Sequence, residues 1–86
     1  MYTVELKPKA KKFIKGQDKK VQQQIIERLE SLSNDPRPNN CKLLHSNEKL
    51  YRIRSGDYRI IYKIDDEKKL VTIDWIRHRK DAYRNI

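Results

Sequence analysis

The chain has 86 residues, 36% hydrophobic and 38% charged, with a formal net charge of +9 and a pI near 9.8. A chain this short buries only about 60 to 65% of its unfolded surface, so we expect one domain, 1–86, with one modest core and no second domain. The lone cysteine, Cys41, excludes an intrachain disulfide and a cysteine-based zinc site, and no run approaches the roughly 18 apolar residues that span a bilayer.

A positive field of this size attracts polyanions, and nucleic acid leads the candidates. The cations are unevenly typed. Lysines crowd the first half, whereas six of the eight arginines follow residue 50: Arg52, Arg54, Arg59, Arg77, Arg79 and Arg84. Lysine gives a diffuse field, while the planar fork of arginine suits phosphate oxygens. The start MYTVELKPKA has no long apolar stretch, and a single reduced thiol suits a cytoplasmic protein with no membrane partner.

Residues 2–6 alternate as a strand, with Tyr2, Val4 and Leu6 on one face. Pro8 opens a short basic helix whose Ala10, Phe13 and Ile14 share a side, and Gly16 stops it. Asp18 caps a second helix carrying the stripe Val21, Ile25, Leu29 and Leu32, which ends at Asn34-Asp35-Pro36. Residues 34–40, with two prolines and three asparagines, predict a loop that leads to the sheet.

From Lys49 onward the period changes to two, predicting strands near 50–54, 58–64 and 69–76 with turns at Ser55-Gly56-Asp57 and Asp65-Asp66-Glu67. Residues 79–86 suit one or two helical turns. The fold class expected is α+β in the order β-α-α-β-β-β, a helical hairpin packed on a small antiparallel sheet.

Alternation puts Tyr51 and Ile53 on one face and Arg52 and Arg54 on the other; Tyr58, Ile60, Tyr62 and Ile64 then oppose Arg59, Ile61 and Lys63. With the apolar faces against the helices, the arginines share the open face, where neighbouring like charges repel unless an anion lies across them. The last strand places Val71, Ile73 and Trp75 together and runs into Arg77-His78-Arg79-Lys80, with Tyr83 beyond. Trp75, Tyr58 and Tyr62 read as packing residues, and His45 as a structural or solvent-facing residue of the loop. His78, an imidazole among arginines, is a candidate for proton transfer near neutral pH and equally a surface residue at a strand end.

The sequence has no Gly-rich phosphate loop, no paired-carboxylate spacing and no metal-ligand cluster, so neither cofactor nor metal is expected. Without these, RNA still has a route to cleavage, because its own 2′-OH can attack the adjacent phosphate. A protein then needs only to align that attack, stabilise the phosphorane and help protonate the leaving 5′-oxygen.

The stretches LYRIRSGDYRIIYKI (residues 50–64) and VTIDWIRHRKDAYR (residues 71–84) resemble the RelE/ParE toxin superfamily, and the likeness covers nearly the whole chain. The C-terminal pattern is similar to the RelE branch, the mRNA interferases of type II toxin–antitoxin systems. The resemblance implies a ribosome-dependent endoribonuclease that cuts messenger RNA in the A site without metal. It implies backbone grip by Arg52 and Arg54, with Lys63 and Arg79 also on RNA, and phosphate contact by Arg59. It implies transition-state stabilisation by Arg77 and positioning or activation of the 2′-OH by Tyr83. His78 has no fixed counterpart among relatives. A cognate antitoxin is the implied partner, through which the complex can bind operator DNA. Two other readings stay open: a ParE-type poison of DNA gyrase, and a non-catalytic RNA- or ribosome-binding module.

Overall fold

The computed structural model describes residues 1–45, 47 and 49–80. Its elements are β1 (Thr3–Leu6), α1 (Pro8–Lys15), α2 (Lys19–Asn34), β2 (Lys42–His45), β3 (Leu50–Ser55), β4 (Tyr58–Asp65) and β5 (Leu70–His78). They form a five-stranded sheet in the order β1-β5-β4-β3-β2 with the helical hairpin against one face. The class is α+β, as the periodicity predicts.

The sheet differs from that expectation in two ways. First, it is mixed: β1 runs parallel to β5, with Thr3 opposite Leu70 and Leu6 opposite Ile73, while the other pairs are antiparallel. Second, residues 42–45 form an edge strand where a loop is expected. Lys42-Leu43-Leu44-His45 does not alternate, its register slips between Leu43 and His45, and Leu43 and Leu44 are 52% and 45% exposed. A strand held only by backbone pairing to β3 leaves no apolar signature.

Helix α1 starts on Pro8, whose missing N–H is no loss in a first turn. Its carbonyl end is satisfied from the next helix, where Gln22 Nε2 donates to Ile14 O at 2.9 Å. Asp18 caps α2 as expected, its Oδ1 accepting from the Val21 N–H at 2.9 Å. The apolar stripe of α2, Ile25, Leu29 and Leu32, meets Ile53, Ile60, Tyr62, Ile64, Val71, Ile73 and Ile76 from the sheet and Ala10 from α1. Truncating one of these buried aliphatic residues to alanine costs about 2–5 kcal/mol.

At one end of the sheet the Arg37 guanidinium makes a two-pronged ion pair with Asp66 (3.0 and 2.8 Å) and donates to Tyr51 Oη at 3.1 Å. The Tyr2 hydroxyl donates to the same carboxylate at 2.7 Å. This clasp joins the start of the chain, the α2–β2 loop, β3 and the β4–β5 turn. It also commits Arg37 to structure.

Candidate functional site

Across the middle of the sheet, Arg54 of β3 is paired with Arg59 of β4, and Arg59 with Arg77 of β5. Directly paired residues on adjacent strands point to the same face. Three arginines therefore stand side by side on strands about 4.8 Å apart, on the face away from the helices. The adjacent row reads Lys42, Arg52, Ile61, Trp75 from β2 to β5.

Arg77 joins this row through a β-bulge. Strict alternation from Val71 and Ile73 places Trp75, Arg77 and their like on the core side. In the structure the ladder instead passes from Tyr62–Ile73 to Ile61–Trp75, so Asp74 is an extra residue on β5. Beyond it the faces exchange: Ile76 is buried in the core, and Trp75 and Arg77 turn outward, which corrects the expectation of Val71, Ile73 and Trp75 on one face. The sequence held the signal, since its buried apolar positions step by two from 71 to 73 and then by three to 76.

Around the row the surface is shaped by charge and by one apolar patch. The Arg77 guanidinium lies over the Trp75 ring, 4.8 Å from its centroid. Ile61, only 2% exposed, is buried outside the main core cluster, on this outer face beside Trp75. Lys63 stands 3.7 Å from Asp74 Oδ2, and Lys7 Nζ is 3.1 Å from Asp74 Oδ1, so the lysine expected on RNA shares a carboxylate within the protein. Two hollows flank Arg54. One, of about 190 Å³, is lined by Arg54, Gly56, Asp57, Tyr58, Arg59 and Arg79; the other, of about 330 Å³, by Asn40, Lys42, Arg52, Ile53 and Arg54. Arg79 is held at the first by its backbone N–H, which donates to Asp57 O at 2.7 Å.

Of the expected site residues, the fold thus brings together Arg52, Arg54, Arg59, Arg77 and Arg79. His78 is set apart from them. It pairs with Tyr58, their rings perpendicular at 5.2 Å, and Tyr58 packs edge-on to Phe13 of α1 at 5.9 Å. The imidazole therefore lies on the helix side, with Nδ1 accepting from the Lys80 N–H at 3.2 Å. The helical turns expected over 79–86 begin at 79–80, and Tyr83 with the rest of that stretch falls outside the described residues. Trp75 and Lys42 are members of the face that alternation alone misses. Among the described residues, no group of three His, Cys, Asp or Glu side chains is placed to hold a metal ion. Tyr62 contributes no base: burial pushes its phenol up, and the hydroxyl donates to Pro36 O at 2.8 Å.

A helical hairpin on one face of a mixed sheet, with arginines ranked across the other, defines a small RelE-like toxin domain. The match to a family model confirms the class: residues 4–83 fit the ParE toxin of type II toxin–antitoxin systems. The chain belongs to this family, within the RelE/ParE superfamily, and is a toxin of a type II toxin–antitoxin system. Toxin RelG of Mycobacterium tuberculosis is 47% identical over 34 residues, a segment that covers 40% of this chain and 39% of that relative's length. Among solved structures, the archaeal RelE–RelB complex from Pyrococcus horikoshii superimposes with a TM-score of 0.82 at 26% identity, covering 91% of this chain and 94% of that one. The toxin–antitoxin complex RelBE2 from Mycobacterium tuberculosis gives 0.78 at 29% identity, covering 91% and 98%.

Proposed function

We propose that the toxin is a ribosome-dependent mRNA endoribonuclease of the RelE type, cutting in the A site by attack of the substrate's own 2′-OH. The observation that carries this reading is the row Arg54–Arg59–Arg77 on the sheet face away from the helical hairpin. A phosphorane gains negative charge as the 2′-oxygen adds, and fixed guanidinium forks aimed at it stabilise that charge more than they stabilise the ground state. The 2′-oxygen becomes bonded to phosphorus, the 5′-oxygen leaves with the bonding pair, and the 2′-proton must go out as a proton comes in to the leaving oxygen.

Arg59 and Arg77 stand at the reacting phosphate in this reading, and Arg52, Arg54 and Arg79 hold its neighbours. We assign proton transfer to Tyr83, by its resemblance, in preference to His78, which lies across the sheet from the row. A phenol with a pKa of about 10 serves as a base near neutral pH only where cations lower it. A cognate antitoxin, acting with the toxin in the cytoplasm, covers the same face with acidic residues. Its affinity accordingly falls as salt rises. The antitoxin also supplies the complex's contact with operator DNA. Both solved relatives are toxin–antitoxin complexes, which supports such a partner.

The family description names ParE, so a gyrase-directed toxin is the second reading. Inducing the chain without antitoxin separates the two. Rapid in-frame breaks mapped at transcript 5′ ends during translation support the nuclease. Intact transcripts with inhibited gyrase supercoiling assign it to the other branch. Ribosome binding without breaks marks a non-catalytic module.

A further inference from the structure

Trp75 turns outward from the core and is left only partly buried. Ile76 takes the core place, α1 and α2 lie on the opposite face, and the indole ends beside cations: Arg77 over its ring, with Arg52 and Lys42 further along its row. Buried Ile61, its cross-strand neighbour, gives the same spot an apolar floor. An aromatic and a guanidinium plane beside a cationic track is the combination that binds single-stranded nucleic acid, the charges following phosphates while the π surfaces take bases.

Spacing supports the match. The Trp75 row and the arginine row are two residues apart along each strand, roughly 7 Å, so a base and its own phosphate can occupy the two rows together. We propose that the Trp75–Arg77 stack, floored by Ile61, seats a nucleobase of single-stranded RNA next to the phosphate held by Arg54, Arg59 and Arg77. This rests on the nuclease reading for its substrate class and adds to it a base-binding subsite. Stacking uses the π face that every base has, so the seat orders the strand without reading its sequence.

Trp75 is the sole tryptophan, which makes it its own reporter. The test titrates the toxin at low salt with a short oligoribonucleotide and with an abasic oligomer of equal length and phosphate count. Trp75 emission is followed alongside the anisotropy of an end label. The base-bearing oligomer should quench the emission and bind about tenfold more tightly than the abasic one. Trp75→Leu should erase the difference between the two oligomers, and Trp75→Phe should keep part of it. Circular dichroism melts establish that both variants are folded. Equal affinity for the two oligomers, unchanged emission with the base-bearing one, or no binding of either overturns the proposal. Because this readout involves neither ribosome nor cleavage, the two ideas fail separately. Intact transcripts in the induction experiment would leave a base-dependent signal standing, and loss of that signal would leave cleavage standing.

Discussion

Arg59 has an arginine paired to it on both neighbouring strands, an arrangement that favours an anion over the free protein. Like charges placed directly opposite each other across a sheet are destabilising. Arg54 is exposed, so its replacement tests the repulsion with little loss of packing. Arg54→Thr should raise the stability of the free toxin by about 0.2–1 kcal/mol while weakening RNA binding, read from the urea midpoint and from oligomer anisotropy. A second contrast separates chemistry from grip. On saturating programmed ribosomes, Arg77→Ala should slow single-turnover cleavage by about 10²–10³, or roughly 3–4 kcal/mol. Arg52→Ala, one row away, should chiefly raise the half-saturating ribosome concentration. Equal cleavage rates for the two saturated variants would remove Arg77 from the reacting phosphate. These arginines were legible as residues by charge type, and a period of two puts Arg52, Arg54 and Arg59 on one face, whereas Arg77 reaches it only through the bulge. The position of His78 was not, since a strand ending at 76 leaves it beyond the sheet, whereas β5 runs on and pairs it with Tyr58.

The elements most legible in the sequence are those whose stability is local: the capped α2 stripe and the alternating β3 and β4. Strand β2 and the β5 bulge escaped because each depends on a neighbour. Without β3, residues 42–45 have no reason to be extended, and without the β4 ladder the extra residue Asp74 has nothing to be extra to. The β3–β4 turn shows the local kind of constraint. Gly56 has φ of +59°, and a Cβ there would run into the Gln24 side chain of α2. Gly56→Ala should destabilise the toxin by about 1–2 kcal/mol through the left-handed backbone alone, with a further loss from the Gln24 clash. Thermal melts of Gly56→Ala with and without Gln24→Ala check this. The second substitution should return only the clash, because it cannot relieve the dihedral.

At the scale of the molecule, the Arg37–Asp66–Tyr2–Tyr51 clasp lies at one end of the sheet and binds segments far apart in the chain. The Arg37 hydrogen bonds, and then that of Tyr2, hold the Asp66 carboxyl down to about 2, below its ordinary 3.8. Between these values the unfolded chain binds the proton that the folded one refuses, so stability rises with pH through the window. The clasp's contribution is present above the ordinary carboxylate value and disappears as pH falls through about 2. Urea midpoints from pH 2 to 5 should therefore climb less steeply in Asp66→Asn than in the parent; identical slopes would show that Asp66 is not linked to folding. The parallel pairing of β1 with β5 joins the same distant parts, and it has a consequence in time. A nascent chain leaves the ribosome from its first residue, so β1 waits without its partner until β5 has been made and has emerged. Arg77 is on that same last strand of the sheet. The cationic row therefore closes only after β5 has emerged, later than every other strand of the sheet.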